Sequence, residues 1–268
     1  MNNIIKALMK KILFLGFNKK QTKIIDFSKT SKKNILVKHL QGKITLKTIK
    51  NFDLVVSFGY KKLISKEILK NFKKPMINLH LGYLPYNRGS HPNFWSFAEN
   101  TPSGITIHKI EEGINRGKIL YQKNIDFELI RNRSKLTFKD THKVLTNEIE
   151  NLFMINFENL IKDNFELFSQ IGKGSYHNAN DLPLLYKSPN QNIYKTIIKY
   201  NKINNLLISK KLQILQEIEN TRKHNNINWM NIVKNLLKIS PVKASKILKS
   251  INNDDKKINQ MFKKIVKD

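Results

Sequence analysis

KPMINLHLGYLPYNRGSHPNFWSFAENTPSGITIHKIEEGINRGKIL, residues 74–120, carries the pattern from which the fold is most clearly predicted. It opens with a short apolar run, typical of a buried strand, that carries two polar residues, Asn78 and His80. Alternate side chains of a strand share a face, so Asn78 and His80 should project together while Ile77 and Leu79 enter the core. The pattern therefore predicts two polar groups held side by side where a buried strand ends.

The residues before this stretch alternate between strand and helix patterns. Apolar runs predict strands over 11–16, 34–40 and 52–58, and a helix is expected over 65–72, with Ser65 capping its first turn. Strands that alternate with helices in this way indicate a parallel sheet with right-handed crossovers. Ligands of such sheets bind beyond the carboxyl ends of the strands.

From residue 104 onwards, the pattern predicts a hairpin followed by a helix. Residues 104–110 and 118–127 alternate apolar and polar, which predicts two paired strands joined by the turn GINRG, residues 113–117. Apolar residues at helical spacing predict one helix over 141–161 that packs on the sheet. The polar segment 174–183 is interpreted as a boundary loop.

Beyond residue 185 the chain becomes rich in lysine and contains no glycine. A long helix is expected over 193–219. Two or three short helices are expected over 227–266, with breaks at residues 240–241 and 252–255. A β-barrel would need alternating strands and turn glycines, so we predict a helical appendage, most suited to self-association or partner docking.

Composition excludes several function classes. The chain has no cysteine, which excludes disulfides, thiolate catalysis and Cys-ligated zinc. A single glycine, Gly16, lies in the first strand-to-helix turn, which argues against dinucleotide binding. The formal charge of +29 comes from lysines scattered along the whole chain, so we interpret it as the residue bias of an AT-rich genome and expect no nucleic-acid partner. A positive surface still attracts phosphorylated substrates.

The beginning of the chain raises the question of a signal peptide. Its uninterrupted apolar run, residues 12–17, is too short for the hydrophobic region of a signal peptide and is followed by lysines rather than by a cleavage site. No other run approaches the length of a membrane span. We therefore predict a soluble cytoplasmic protein with no membrane partner.

Four motifs within residues 74–120 together resemble those of the formyltransferases that use 10-formyltetrahydrofolate. In this family N-x-H is followed by L-P-x-x-R-G, then P-x-x-W, then G-I-D-x-G-x-I. The matching residues are Asn78, His80, Leu84, Pro85, Arg88, Gly89, Pro92, Trp95, Gly104, Gly113, Ile114, Gly117 and Ile119. The resemblance covers roughly residues 11–185 and implies an α/β fold: a Rossmann-like, mostly parallel sheet with the helical appendage behind it.

The resemblance also implies the roles of individual residues. Asn78 would donate a hydrogen bond to the formyl oxygen, and His80 would stabilise the developing charge or relay a proton. The family's catalytic aspartate falls at Asn115, in GINRG, and an amide cannot carry the negative charge that raises the pKa of a neighbouring histidine. The cosubstrate 10-formyltetrahydrofolate would lie along the two neighbouring turns, and no metal is implied. The residues expected to bind it are Leu84, Pro85, Arg88, Gly89, Gly113 and Ile114.

Some roles stay open in the sequence. Arg88 either faces a ligand or braces its loop through backbone carbonyls, and His108 either lines the site or lies at the surface. If another acid replaces the missing aspartate, Glu111 and Glu112 are nearest in sequence.

The resemblance predicts two domains, a formyltransferase catalytic domain over 1–185 and a lysine-rich helical domain over 186–268. The acceptor expected for the formyl group is the amine of a nucleotide-linked amino sugar used in surface polysaccharide, because the barrel of the tRNA-directed enzymes is missing. Two alternatives remain: a catalytically attenuated binding or regulatory protein, and a tRNA-directed formyltransferase. A homo-oligomer is possible for any of them.

Overall fold

A six-stranded sheet forms the centre of the fold. The computed structural model describes residues 9–32, 34–127, 133–225, 235–236 and 241–267. The six strands are β1 (Lys10–Gly16), β2 (Ile35–Leu40), β3 (Leu54–Phe58), β4 (Met76–His80), β6 (Gly104–Lys109) and β7 (Ile119–Asn124). Their order in the sheet is β2-β1-β3-β4-β6-β7; β1 to β4 run parallel, and β6 and β7 are antiparallel additions at one side. The predicted α/β class and mostly parallel sheet are confirmed.

Both faces of the sheet are buried, as expected of a parallel sheet whose strands read as continuous apolar runs. In β1 the residues Ile12 and Phe14 belong to one core, and Leu13 and Leu15 belong to a second core on the other face. All five residues of β3 are buried. The alternation of side chains along each strand therefore divides the apolar residues between two cores.

The helices lie on both sides of this sheet. In the first core are α1 (Ile24–Thr30), α5 (Phe138–Ile155) and α6 (Phe157–Lys162), and in the second are α2 (Leu46–Ile49) and α3 (Lys66–Asn71). The predicted cap of α3 is present, because the Ser65 hydroxyl accepts a hydrogen bond from the Ile68 N–H.

The single helix predicted over 141–161 is wrong in two details. It begins earlier, at Phe138, because Thr137 and Asp140 form a capping box that fixes the first turn. It is also interrupted at Asn156, whose side chain donates a hydrogen bond to the Leu152 carbonyl and thereby caps α5. Asparagine competes for backbone groups in this way, so a hydrophobic period alone does not show the break.

The hairpin of β6 and β7 is present as predicted, with residues 113–117 in the turn between them. Between β4 and β6 lie the two-residue strand β5 (Arg88–Gly89) and helix α4 (Pro92–Ala98). The expected boundary loop 174–183 contains β8 (Tyr176–His177), which pairs in parallel with β5. This segment therefore packs on the loop that follows β4 rather than serving only as a connection.

The chain divides into two compact units between Ile198 and Lys199. Helix α7 (Ile193–Asn225) extends beyond the predicted end at residue 219, and the last helix is α8 (Pro241–Lys267). The break expected at 252–255 is wrong, because α8 runs through it without interruption. Asparagine and aspartate cost only about 0.7 kcal/mol each inside a helix, which does not by itself end one, and the helix continues to place Ile258 in a buried position.

The helical break predicted at residue 240 and the helices predicted over most of 227–240 fall outside the described residues. The division into a catalytic domain ending at 185 and a helical domain beginning at 186 stays a prediction. Within the described part of the chain, no helix has the length and apolar character needed to cross a membrane.

Candidate active site

Three polar side chains from neighbouring strands lie in one row at the carboxyl end of β4. Ser57 of β3, Asn78 of β4 and His108 of β6 are register partners across the sheet. The Ser57 hydroxyl donates to Asn78 Oδ1 at 2.8 Å, and Asn78 Nδ2 lies 3.1 Å from His108 Nε2. The core side chains Ile77 and Leu79 alternate with Asn78 and are buried, as the sequence predicted. Strand register alone therefore fixes the position of the Asn78 amide.

The orientation of this amide follows from its partners. His108 Nδ1 lies 2.8 Å from the Lys109 carbonyl oxygen, which can only accept, so Nδ1 carries the ring proton. His108 Nε2 is then an acceptor, and Asn78 Nδ2 donates to it. The second hydrogen of Asn78 Nδ2 points to Asn115 Oδ1 at 3.5 Å, at the limit of a hydrogen bond.

His80 lies two residues further along β4 and is 6% exposed. Its Nε2 is 3.2 Å from the Asn87 carbonyl oxygen, so Nε2 carries a proton and donates it to that carbonyl. Its Nδ1 is 3.1 Å from Asn115 Nδ2. A neutral imidazole with its proton on Nε2 accepts at Nδ1, so the Asn115 amide is the donor in this contact. Asn115 thus occupies the position where the resemblance expects a carboxylate acceptor, and it acts in the opposite sense.

Burial keeps both histidines neutral. Desolvation, together with the nearby His108, lowers the pKa of His80 to about 3. Desolvation also lowers the pKa of His108 to about 4, although its bond to the Lys109 carbonyl opposes the shift. Near pH 7 the hydrogen-bonded group Ser57, Asn78, His80, His108 and Asn115, called the polar network below, carries no formal charge.

No carboxylate replaces the missing aspartate in the part of the chain that the structure describes. Glu112 forms an ion pair with Lys66, and Glu111 lies 3.9 Å from Lys109. Neither carboxylate is hydrogen-bonded to the polar network. The alternative in which Glu111 or Glu112 contacts His80 as a substitute acid therefore has no support in the geometry.

The turn that carries Asn115 depends on unusual backbone conformations. Gly113 has a φ of +92° and Asn115 a φ of +54°, in the left-handed region that glycine and asparagine tolerate best. A Cβ atom on Gly117 would lie 1.8 Å from the Lys109 carbonyl oxygen, so only glycine allows this approach. Ile114, predicted to bind folate, has its side chain at the surface and is 41% exposed.

The loop after β4 holds the other residues that were predicted to bind folate. Leu84 is buried; its N–H donates to the Thr106 hydroxyl at 3.2 Å, and its carbonyl accepts from Gln122 at 2.7 Å. Pro85 follows in a cis peptide bond. Gly89 has a φ of +87° and pairs with His177 of β8. The loop approaches the polar network through the Asn87 carbonyl, which binds His80.

Arg88 is almost completely buried, and its guanidinium is used inside the protein. Its Nε and Nη2 donate to Gln170 Oε1 at 3.0 and 2.8 Å, and its Nη1 donates to the Lys173 carbonyl at 3.3 Å. This geometry favours the bracing role for Arg88 over the ligand-facing one.

The structure thus brings Asn78, His80 and Asn115 together and leaves Ile114 at the surface. Sequence reasoning left the role of His108 open and did not name Ser57 or Gln170. Ser57 had a weak signal, a hydroxyl near the end of an otherwise apolar strand, whereas Gln170 follows no motif. Among the residues with a described position, no group of three or more His, Cys, Asp or Glu side chains is arranged to hold a metal ion.

Comparison with known proteins identifies the family. The model of the formyl transferase family matches residues 6–148, which is more than half of the chain. The chain belongs to the formyl transferase family. Its α/β sheet is that of the solved formyltransferase structures it resembles.

Several relatives act on sugars linked to nucleotides. A crystal structure of the formyltransferase PseJ from Anoxybacillus kamchatkensis, in complex with UDP-4,6-dideoxy-4-formamido-L-AltNAc and tetrahydrofolate, is 34% identical, with a TM-score of 0.62. The match covers 69% of this chain and 97% of that chain. GDP-perosamine N-formyltransferase from Brucella melitensis is 29% identical over 135 residues, 49% of this chain and 48% of the relative.

A relative with a different acceptor also matches. Methionyl-tRNA formyltransferase from Prochlorococcus marinus is 28% identical over 186 residues, 66% of this chain and 57% of the relative. The chain thus spans about half the length of these two curated relatives. The shared region supports a common formyl-transfer fold and does not distinguish between acceptors.

Proposed function

We propose that this protein transfers a formyl group from 10-formyltetrahydrofolate to the amine of a nucleotide-linked amino sugar. The observation that carries the proposal is the polar network, in which Asn78 and His80 are held by strand register at the carboxyl end of β4. Ligands of parallel sheets bind at this edge. The same position carries the N-x-H motif by which the chain resembles the folate-dependent formyltransferases.

The relatives support both substrates. The A. kamchatkensis structure contains tetrahydrofolate together with a formylated sugar linked to UDP. The match covers 97% of that chain, which supports the proposal that the same two classes of substrate bind here. The net charge of +29 would also favour a substrate that carries a diphosphate.

Formyl transfer requires a donor to the carbonyl oxygen, which gains negative charge as the amine attacks. Asn78 Nδ2 fits this role, because its bond to Asn115 at 3.5 Å is weak and the same hydrogen is available to a substrate oxygen. Ser57 and His108 hold the rest of the amide in place while that exchange occurs. A donor that is already oriented needs little reorganisation during the reaction.

His80 would act as a neutral donor rather than as an acid. Its Nε2 proton is shared with the Asn87 carbonyl at a long distance of 3.2 Å, so it is also available to a substrate oxygen. A neutral imidazole can stabilise developing charge by donating a hydrogen bond. It cannot supply the second proton of an imidazolium.

The proton of the attacking amine then has no carboxylate to receive it within the polar network. A substrate phosphate or a water molecule would have to accept it, and the folate nitrogen would have to take up a proton as its bond to the formyl carbon breaks and tetrahydrofolate leaves. Loss of a general acid–base partner costs on the order of 10²–10⁴ in rate. The proposal therefore predicts a slow enzyme whose binding of both substrates is intact.

The observation that Asn115 donates to His80 also supports a second candidate function, an attenuated binding or regulatory protein on the same scaffold. Such a protein would bind folate and a sugar nucleotide without turnover. The two candidates share the fold and the site, and they differ only in whether chemistry occurs.

One experiment separates the candidates. Release of tetrahydrofolate from 10-formyltetrahydrofolate would be followed with and without 3-amino and 4-amino sugars linked to UDP, GDP or dTDP. Turnover that depends on one acceptor would establish the proposed function. Folate binding without turnover on any sugar would support the attenuated scaffold, and turnover on methionyl-tRNA alone would overturn both in favour of the tRNA-directed alternative.

A further inference from the structure

Gln170 is a side chain that joins two separate parts of the site, and no motif points to it. Its Nε2 donates to the Asn115 and Gly117 carbonyls, each at 2.8 Å. Its Oε1 accepts from Arg88 Nε and Nη2 at 3.0 and 2.8 Å. A primary amide can donate two hydrogen bonds and accept two, so all four are satisfied here.

The segment that carries Gln170 is anchored on both sides of it. Phe168 exchanges two backbone hydrogen bonds with Ile119, at 2.8 and 2.9 Å, just after the turn 113–117. On the other side, β8 pairs with Arg88 and Gly89 of β5. Gln170 therefore comes from a backbone position that is itself fixed against both of the elements that its side chain connects.

The turn 113–117 needs such a connection more than β4 does. Most of its residues are exposed, and Gly113 and Asn115 have positive φ values. A short exposed turn has few contacts to fix its carbonyls, whereas Asn78 is fixed by the sheet. Yet the Asn115 side chain has to meet His80 Nδ1 at 3.1 Å.

We infer that Gln170 is a positioning residue that holds the Asn115 turn against the Arg88 loop and so sets the contact between Asn115 and His80. This inference rests on the proposed function for its effect on turnover. Its structural part, the fastening of the turn, stands independently of any reaction. The buried guanidinium of Arg88 strengthens the fastening, because hydrogen bonds to a charged donor are about twice as strong as neutral ones.

Loss of these hydrogen bonds should lower turnover, because a displacement of about 1 Å near reacting groups can cost on the order of 10²-fold in rate. Gln170 lies outside the core on either face of the sheet. A variant that also removes the acceptor of the buried Arg88 guanidinium should in addition lose stability, because a buried charged donor is then left unpaired.

Two substitutions separate the two halves of the Gln170 amide. Gln170→Met has a similar length and makes none of the four hydrogen bonds. Gln170→Glu keeps an acceptor for Arg88 but has no N–H for the two carbonyls. Gln191→Met is the matched control, because Gln191 also bridges backbone groups, accepting from Lys187 and Ser188 and donating to Leu185.

The test measures amide hydrogen exchange at Ile119 and Phe168, whose N–H groups each bond the other's carbonyl beside the turn, and, in parallel, kcat and KM for formyl transfer. We expect exchange at these two amides to rise at least tenfold in both Gln170 variants and to be unchanged in the Gln191→Met protein. We also expect kcat to fall 10- to 100-fold in both Gln170 variants, because the donated bonds hold the turn, with little change in KM for the sugar. Tm should fall in Gln170→Met, which leaves Arg88 without its acceptor, and should change less in Gln170→Glu, which keeps one.

Unchanged exchange at Ile119 and Phe168 in the Gln170→Met protein would overturn the inference whatever the kinetics show. Faster exchange with an unchanged kcat would overturn its catalytic part. If the wild-type protein transfers no formyl group to any acceptor, the proposed function fails, while the exchange result still decides whether Gln170 fastens the turn.

Discussion

The strand β4 and the turn 113–117 each supply an asparagine to the same site, but they hold it in different ways. Asn78 is fixed by backbone pairing, and its partners Ser57 and His108 are its register neighbours on the adjacent strands. Asn115 is fixed by left-handed backbone conformations and by a side chain 55 residues further along the chain. The position of Asn78 therefore depends on the whole sheet, whereas a change at a single residue can alter the position of Asn115.

This difference separates two properties of the site. The strand places the hydrogen-bond donors on which the proposed formyl transfer depends. Residue 115 of the turn donates to His80 Nδ1 as an asparagine and would accept from it as an aspartate, so the turn can adjust the pKa that burial lowers. Changes on the strand should remove activity, whereas changes in the turn should adjust it.

Asn78→Leu is expected to have the largest effect. The variant keeps the size of the side chain and removes the amide that is proposed to donate to the formyl oxygen. Removal of one such donor costs about 10²–10³ in rate. Steady-state kinetics should show this loss mainly in kcat.

Asn71→Leu serves as its control, since Asn71 lies on the exposed side of α3 and only donates to the Glu67 carbonyl. If Asn78→Leu retained more than a tenth of wild-type activity, the strand would not supply the main donor.

The second effect is loss of stability in acid, which arises from the histidines on β4 and β6. In the unfolded chain their pKa values return to about 6.5, whereas in the folded protein they are lowered to about 3 for His80 and about 4 for His108. Below pH 6.5 the unfolded state therefore binds more protons, and stability falls as the pH falls towards 4. At pH 5 each histidine should cost on the order of 2 kcal/mol relative to pH 7.

Denaturant unfolding between pH 4.5 and 8 measures this dependence. A His108→Gln variant should lose the contribution of His108, on the order of 2 kcal/mol between pH 7 and pH 5. A free energy of unfolding that stays constant from pH 7 to pH 5 would show that the histidines are accessible to protons in the folded state.

Asn115→Asp would place a carboxylate in the turn 113–117. An aspartate at this position can only accept, so its contact with Nδ1 requires a proton there, and with Nε2 bound to Asn87 the ring becomes an imidazolium. The carboxylate raises the pKa of His80. We expect kcat to increase by on the order of 10²-fold and an acid–base dependence to enter the pH profile.

Asn100→Asp is the matched control, because Asn100 also has a positive φ, of +51°, and is exposed. No gain in the Asn115→Asp protein would mean that the amine proton already leaves by a route that does not involve His80.

Gly117→Ala should have the smallest of these effects. The added methyl group would clash with the Lys109 carbonyl, so the end of the turn must shift. Overpacking of this kind costs about 1–3 kcal/mol. Thermal unfolding should show the loss, and the contact between Asn115 and His80 should weaken with it.

Gly42→Ala is the control, since a Cβ atom on Gly42 has nothing within 4 Å. Equal stability of the Gly117 and Gly42 variants would show that the turn adapts freely and that its geometry is not specified by Gly117.

The parts of this molecule that could be predicted from sequence are those with a local period or a continuous motif. The parallel strands read as apolar runs, and the pair Asn78 and His80 stood at the end of one of them. The break at Asn156 and the continuity of α8 through 252–255 depend on side-chain caps and on tertiary burial, which a hydrophobic period does not contain.

The same distinction holds in the site. The motif pointed to Asn115, but it could not show that the amide donates to His80, because that follows from the Asn87 carbonyl on the other side of the ring. The role of Arg88 needed Gln170, 82 residues away. Contacts between residues so far apart in sequence have no local signal.

His80 is a neutral imidazole because it is buried; the Asn87 carbonyl keeps its proton on Nε2, and the Asn115 amide donates to Nδ1. The most direct test is the nitrogen NMR spectrum of histidine-labelled protein between pH 5 and 8, with the His80 signals assigned from the spectrum of a His80→Gln variant. We expect a protonated Nε2 and an unprotonated Nδ1 at every pH in this range. A proton on Nδ1, or an imidazolium at pH 5 to 6, would contradict it.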